Sequence, residues 1–265
     1  MLANWGYMPC AEAYPKAKAA AAKALALDDQ LAEAHTSLAY ATLLYDWDWQ
    51  GAESRFRHAI ELDPNYATAH HFYSIELMAA GRQAEAQAEI GRALELDPLS
   101  LIINSVAGWI YYEGRQYDKA LQQSQRALEL DPTYTPAVLD QGMVYLRTGD
   151  YQQAIVQFEN ARSVAGDQGV VLSYLAQARA LAGDRIEARK LLLRIKSTSS
   201  VPMISPWDLA LIYGALGEKD TAIRLLQRAA DEHVGWVVRL GVDPALDSLR
   251  TDPRFQSLLQ RVRPS

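Results

Sequence analysis

The six residues ALELDP stand at 93–98 and again, unchanged, at 127–132. AIELDP at 59–64 differs from them by one residue, and ALALDD at 24–29 is a looser copy. Successive copies begin 35, 34 and 34 residues apart. A fixed internal period of this size means that one supersecondary unit recurs, and each such unit needs a neighbour to bury its apolar face. Length alone would suggest one or two globular domains for 265 residues, and the period overrides that expectation.

The stretch between copies reads as two helices. An apolar helical pattern follows each turn, as in YATAHHFYSIELMAAGR and YTPAVLDQGMVYLRTGD. It turns at Gly81, Gly149, Gly183 and Gly217 and returns as AEAQAEIGRALELD or YQQAIVQFENARSVAG. Asp63-Pro64, Asp97-Pro98 and Asp131-Pro132 close the second helices, because proline disfavours the α conformation in the residue before it. The repeated hexapeptide is thus the closing turn of a helical hairpin.

Small residues mark where the helices meet. One first-helix position holds Ala39, Ser74, Gly108, Gly142, Ala176 and Ala210; its second-helix partner holds Ala52, Ala86, Ala120, Ala154, Ala188 and Ala222. Helix axes approach closely only where the contact side chains are small. A third position, Ala59, Ala93, Ala127, Ala161 and Ala229, should receive the next hairpin; Ile195 breaks it, just before the irregular junction KSTSSVPMIS.

With 49% hydrophobic and 22% charged residues the chain can bury a substantial core. A net charge of −6 is the wrong sign for gripping phosphates, so no nucleic acid is expected to be bound directly by this segment. The basic run Arg179, Arg185, Arg189, Lys190, Arg194 and Lys196 reads as a solvated helix face. Cys10 is the lone cysteine, which excludes an intramolecular disulfide. The most apolar run, 99–112, is broken by Ser100, Asn104, Ser105 and Gly108, so no membrane span is expected. The five histidines lack an HExxH, a paired CxxC or a carboxylate facial set, and no phosphate-binding glycine loop or GxSxG is present. No catalytic residue, metal or cofactor is expected, and the chain reads as a non-enzyme.

These residues resemble the tetratricopeptide repeat (TPR), whose pattern is W-x2-L-G-x2-Y, then A-x3-F, then P. Gly142, Tyr145, Ala154 and Phe158 match in one unit, Gly108, Tyr111, Ala120 and Pro132 in another. The consensus Trp is replaced by His35, His70, Asn104 and Val138. The resemblance implies an all-α solenoid, a right-handed superhelix of antiparallel hairpins ending in C-terminal capping helices. Residues 1–14 read as the frayed end of a truncated repeat, 15–233 as half a repeat plus six hairpins, and 234–265 as a cap with N-caps at Asp243 and Asp252. The chain is expected to be cut from something longer.

The resemblance also implies a concave groove that binds a protein or peptide partner. Its lining would include Thr36, Tyr40, His71, Ile75, Trp109, Tyr112, Met143, Arg147, Gln177 and Trp207, with the alternative that part of this set is inter-repeat core. The Lys and Asn of the chaperone-type carboxylate clamp are missing, since Thr36/Tyr40, His71/Ile75 and Ser105/Trp109 stand in their places. YDWDWQGAE, NYATAHHFYS, LDPLSLIIN and TDPRFQSLLQ are further similar to the C-terminal repeat regions of large bacterial regulators with winged-helix, Ser/Thr kinase or cyclase domains. That implies a scaffold module of a regulatory protein, with a sensor controlling an attached DNA-binding or kinase domain as the alternative. A cytoplasmic location is expected, or an extracytoplasmic one beyond a membrane anchor.

Overall fold

Helix follows helix in the order the period requires. The computed structural model describes residues 8–197 and 204–263. The stretch read as a frayed end lies outside them through residue 7, as does most of the KSTSSVPMIS junction. Helix α1 (Cys10–Leu27) has no hairpin partner of its own, packs against α2, and is followed by paired helices. The pairs are α2 (Ala32–Ala41) with α3 (Trp49–Leu62), α4 (Ala67–Ala79) with α5 (Gln83–Leu96), and α6 (Leu101–Glu113) with α7 (Tyr117–Leu130). After them come α8 (Thr135–Thr148) with α9 (Tyr151–Ala165), α10 (Gly169–Leu181) with α11 (Arg185–Ser197), and α12 (Pro206–Ala215) with α13 (Lys219–Asp231). No strand occurs among the described residues, and no helix there is long and apolar enough to cross a membrane.

The small-residue positions form the seams between helices. Ala39, Ser74, Ala176, Ala210, Ala52, Ala86, Ala154, Ala188 and Ala222 are fully buried, as are Ala59, Ala93, Ala127, Ala161 and Ala229. Ile195 is buried at the odd position. The hairpin turns at Gly81, Gly149, Gly183 and Gly217 all carry positive φ, between 72° and 88°, which glycine adopts without a Cβ penalty. In the α6–α7 turn the left-handed residue is Arg115, with φ 58°.

The residues that replace the consensus Trp share a job. His35 Nε2 is 3.0 Å from the Asp29 carbonyl, His70 Nε2 is 3.1 Å from that of Pro64, and Asn104 Nδ2 donates to that of Pro98 at 3.0 Å. Each reaches the same point of the preceding closing turn. Val138 has no donor to do so.

The C-terminal segment does more than cover the last hairpin. A 3-10 turn (Gly235–Arg239) comes first, then a second 3-10 turn (Pro244–Leu249) where a capping helix was expected, then α14 (Pro253–Val262). The Asp243 side chain accepts from Ala245 N at 2.8 Å and that of Asp252 from Arg254 N at 2.9 Å, as N-caps should. Phe255, Leu258 and Val262 pack with Leu226 and Ala229 of α13. From there the segment reaches the opposite end of the array. His233 Nδ1 lies 2.7 Å from the Tyr45 carbonyl, and the Trp49 indole donates to the Val262 carbonyl at 2.9 Å.

The Trp47–Trp49 turn owes its shape to a one-residue insertion. Thr42–Asp46 winds as a π-helix, which absorbs an extra residue, and Trp47 follows with φ 56°. Trp47 and Trp49 both pack against the core cluster that includes Leu43, Leu44, Ala52 and Phe56 of their own hairpin. Trp47 also stacks on His233 at 4.8 Å, so the insertion builds a dock for the far end of the chain.

Candidate ligand site on the inner face

Successive first helices pack against one another, whereas successive second helices come into no comparable contact among the described residues. The array therefore curves with α2, α4, α6, α8, α10 and α12 inside. On that inner face lies a cavity of about 670 Å³, lined by α2, α4, α6, α8, α10 and α12, by residues 8–11 at the start of α1, by Arg228 and Glu232 at the end of α13, and by Val234, Trp236 and Arg239.

Of the residues expected to line a groove, Tyr40, His71, Ile75, Trp109, Met143 and Trp207 do line this cavity. Thr36, Tyr112, Arg147 and Gln177 are not among its lining residues. Thr36 is buried with its hydroxyl donating to the Ala32 carbonyl at 2.8 Å. Gln177 is buried beside Ser173, and Tyr112 packs with Met143 and Val144 between hairpins. For these the inter-repeat packing reading describes their surroundings. Trp207 is only 1% exposed although it borders the cavity.

Several lining side chains escaped the sequence reading. Phe72, stacked 4.3 Å from Tyr40, adjoins a groove position without occupying one. Asp140 and Asp208 were legible as acids inside otherwise apolar first helices, which is itself a signal. Trp236 and Arg239 had no signal, because they enter from outside the repeat.

Arg239 organises one part of the cavity wall. Its Nε donates to Glu113 Oε1 at 2.9 Å, its Nη2 contacts the same oxygen, and its Nη2 lies 2.8 Å from Asp243 Oδ2. The guanidinium lies 4.5 Å from the Trp109 ring centre, 5.6 Å from that of Trp236 and 5.8 Å from that of Trp207. A desolvated cation over aromatic faces gains electrostatically from each ring. Trp109 donates its indole hydrogen to Glu113 at 3.0 Å and meets Trp236 edge-on at 5.6 Å. Burial raises the Glu113 carboxyl above its ordinary range against the pull of Arg239.

Three carboxyls border the cavity itself, Asp140, Asp208 and Glu232. Asp140 accepts from the Ser105 hydroxyl at 2.5 Å, and burial pushes it up to about 7. Asp208 forms a capping box with Ser205 at the start of α12, and burial raises it too. Desolvation lowers His71 to about 4, so it is neutral at pH 7. Burial also raises the Cys10 thiol, which makes it a poor nucleophile. No group of three or more His, Cys, Asp or Glu suited to a metal occurs among the described residues. Four of the six residues of the basic run form ion pairs: Arg179 with Glu159 at 3.6 Å, Arg189 with Glu218 at 2.7 Å, Lys190 with Glu187 at 3.1 Å, and Arg194 with Asp167.

Residues 74–135 match the family model described as tetratricopeptide repeat. No curated protein matches the sequence. Among solved structures, a tetratricopeptide repeat protein from Parabacteroides merdae is 15% identical, with 94% of this chain and 92% of that one covered at a TM-score of 0.66. Pseudomonas aeruginosa pilF is 21% identical over 80% of this chain and 96% of that chain, at a TM-score of 0.56. The human IFIT1 dimer with m7Gppp-AAAA is 21% identical at a TM-score of 0.66, with 94% of this chain covered; the chain spans 63% of the IFIT1 chain. Residues 74–135 thus carry the tetratricopeptide-repeat signature, and the described array has the fold of a tetratricopeptide-repeat protein.

Proposed function

We propose that this chain is a non-catalytic binding module that takes a short extended segment of a protein partner into the inner-face cavity. The supporting observation is the cavity itself, about 670 Å³ and lined by aromatic and methionine side chains with a few polar groups. Such a lining suits a ligand of compact size. A helix is roughly 10 Å across, so three turns of one would overfill the space, whereas four or five extended residues fit. Asp140 and Asp208 form no ion pair among the described residues, while the lining Arg228 and Arg239 are already held by carboxylates, which makes the cavity a poor seat for phosphates, and so for nucleic acid. The resemblance to regulator C-terminal regions supports a place within a larger bacterial regulatory protein, working in the cytoplasm. Reading the coding sequence upstream of Met1 tests that part.

Val106 lines the cavity and is only half-buried. Val106→Trp should fill the space and weaken partner binding at least tenfold in calorimetric titration, while Gln122→Ala on an outer helix leaves it unchanged. Equal binding by Val106→Trp, with an unaltered melting curve, would place the site elsewhere. Trp109→Ala is a worse probe, since Trp109 also supports Arg239 and Glu113.

A further inference from the structure

Five charged side chains border the cavity: Asp140, Asp208, Glu232, Arg228 and Arg239. Arg228 is spent on Glu232, with its Nε 2.6 Å from the carboxylate. Arg239 is spent on Glu113 and Asp243. That leaves the two aspartates. Asp208 is held by the hydroxyl and backbone N–H of Ser205 at 2.6 and 3.3 Å, the demands of its own capping box. Asp140 has the Ser105 hydroxyl, and no Lys, Arg or His forms an ion pair with it among the described residues.

A carboxylate so placed is out of balance with its surroundings. Partly withdrawn from water, it gains one hydroxyl donor, where an ionised carboxylate offers about four acceptor sites. The same cavity presents the rings of Tyr40, Phe72, Trp109, Tyr134 and Tyr174, of which Tyr134 and Tyr174 are near enough to Asp140 to feel its charge. Ring faces together with a carboxylate that has no ion-pair partner, and feels Arg239 only at a distance, select a cation. The molecule already contains one worked case on the same wall: Arg239, held by tryptophan faces and two carboxylates.

Building on the peptide-binding reading above, we propose that the cavity seats the lysine or arginine side chain of the partner segment, with Asp140 as its counter-ion and the surrounding rings as its walls. The cavity is several times the volume of one lysyl side chain, so the apolar residues flanking the cation enter with it and meet Ile75, Val106 and Met143. The ligand class is therefore a basic residue between apolar ones.

The probes are two acetylated, amidated tripeptides, Phe-Lys-Leu and Phe-norleucine-Leu, titrated calorimetrically into the full chain at pH 8. The lysine peptide should bind at least tenfold more tightly than the norleucine one. Asp140→Asn should bring the two within about twofold, and Asp140→Glu should keep the lysine preference, with melting curves confirming that each variant is folded. Equal binding of both peptides to the parent overturns the proposal, as does a lysine preference that survives Asp140→Asn, or the absence of binding by either peptide. If both bind alike and Val106→Trp abolishes both, the concave-site reading stands while the cation selectivity falls. If Val106→Trp weakens neither, the concave-site reading falls as well.

Discussion

Gly142 sits where α8 crosses α9, and a Cβ built there would lie 2.3 Å from Phe158 Cε1 and 2.7 Å from Cζ. Phe158 is fully buried and has nowhere to retreat. Gly108 occupies the same repeat position in α6, yet its nearest contact would be the Ala120 carbonyl at 3.4 Å. Gly142→Ala should therefore cost about 1–3 kcal/mol in urea unfolding, as overpacking does. Gly108→Ala should be near neutral, because the helix-propensity gain offsets a tight contact. A Gly142→Ala variant as stable as the parent would show that Phe158 moves. Glu76 is a second single-residue test. It is 3% exposed, its Oε2 has no partner, and burial, aided by Glu53, pushes its carboxyl up to about 8. Between the ordinary value of 4.5 and about 8, the folded protein holds a proton that the unfolded chain has released. Stability from this group is thus complete below pH 4.5 and lost as pH rises through 8. Glu76→Gln should flatten that fall, making the variant more stable than the parent at pH 9 by no more than about 5 kcal/mol. Parallel stability–pH curves for the two proteins would refute it.

At the scale of elements, the hairpins are near-identical parts joined by near-identical turns, and their differences carry the particulars of this chain. The π-helix at Thr42–Asp46 turns one inserted residue into an aromatic dock. The C-terminal elements pack on α13 and bridge to that dock, so they make two separable sets of contacts. Removing residues 243–265 should uncover Leu226 and Ala229, which pack with Phe255, Leu258 and Val262, and should release Arg239 from Asp243. Several buried apolar side chains and one buried charge partner are lost together, so the melting temperature should drop by about 5 °C or more, with lower solubility. Unchanged melting and solubility would mean that these elements are no cap.

The whole molecule is an arc whose ends are tied. His233 against Tyr45 and Trp47, and Trp49 against Val262, join the first hairpin to the last across the inner face. Nothing in the repeat period encodes that closure. What the sequence determined by itself was the part governed by local physics. A 34-residue spacing of small residues, turn glycines and Asp-Pro closures specifies hairpins that stack, since each rule acts within one unit or between neighbours. Six of the ten expected groove residues border the cavity for the same reason, because repeat position fixes which helix face they occupy. Only the tertiary structure decided where that face ends. Trp236 and Arg239 come from beyond the repeats, and whether Gln177 or Tyr112 meets solvent or a neighbouring helix depends on curvature summed over the array. Curvature accumulates from small rotations at every seam and is then set by the C-terminal strap, a contact spanning about two hundred residues that no window of local sequence contains.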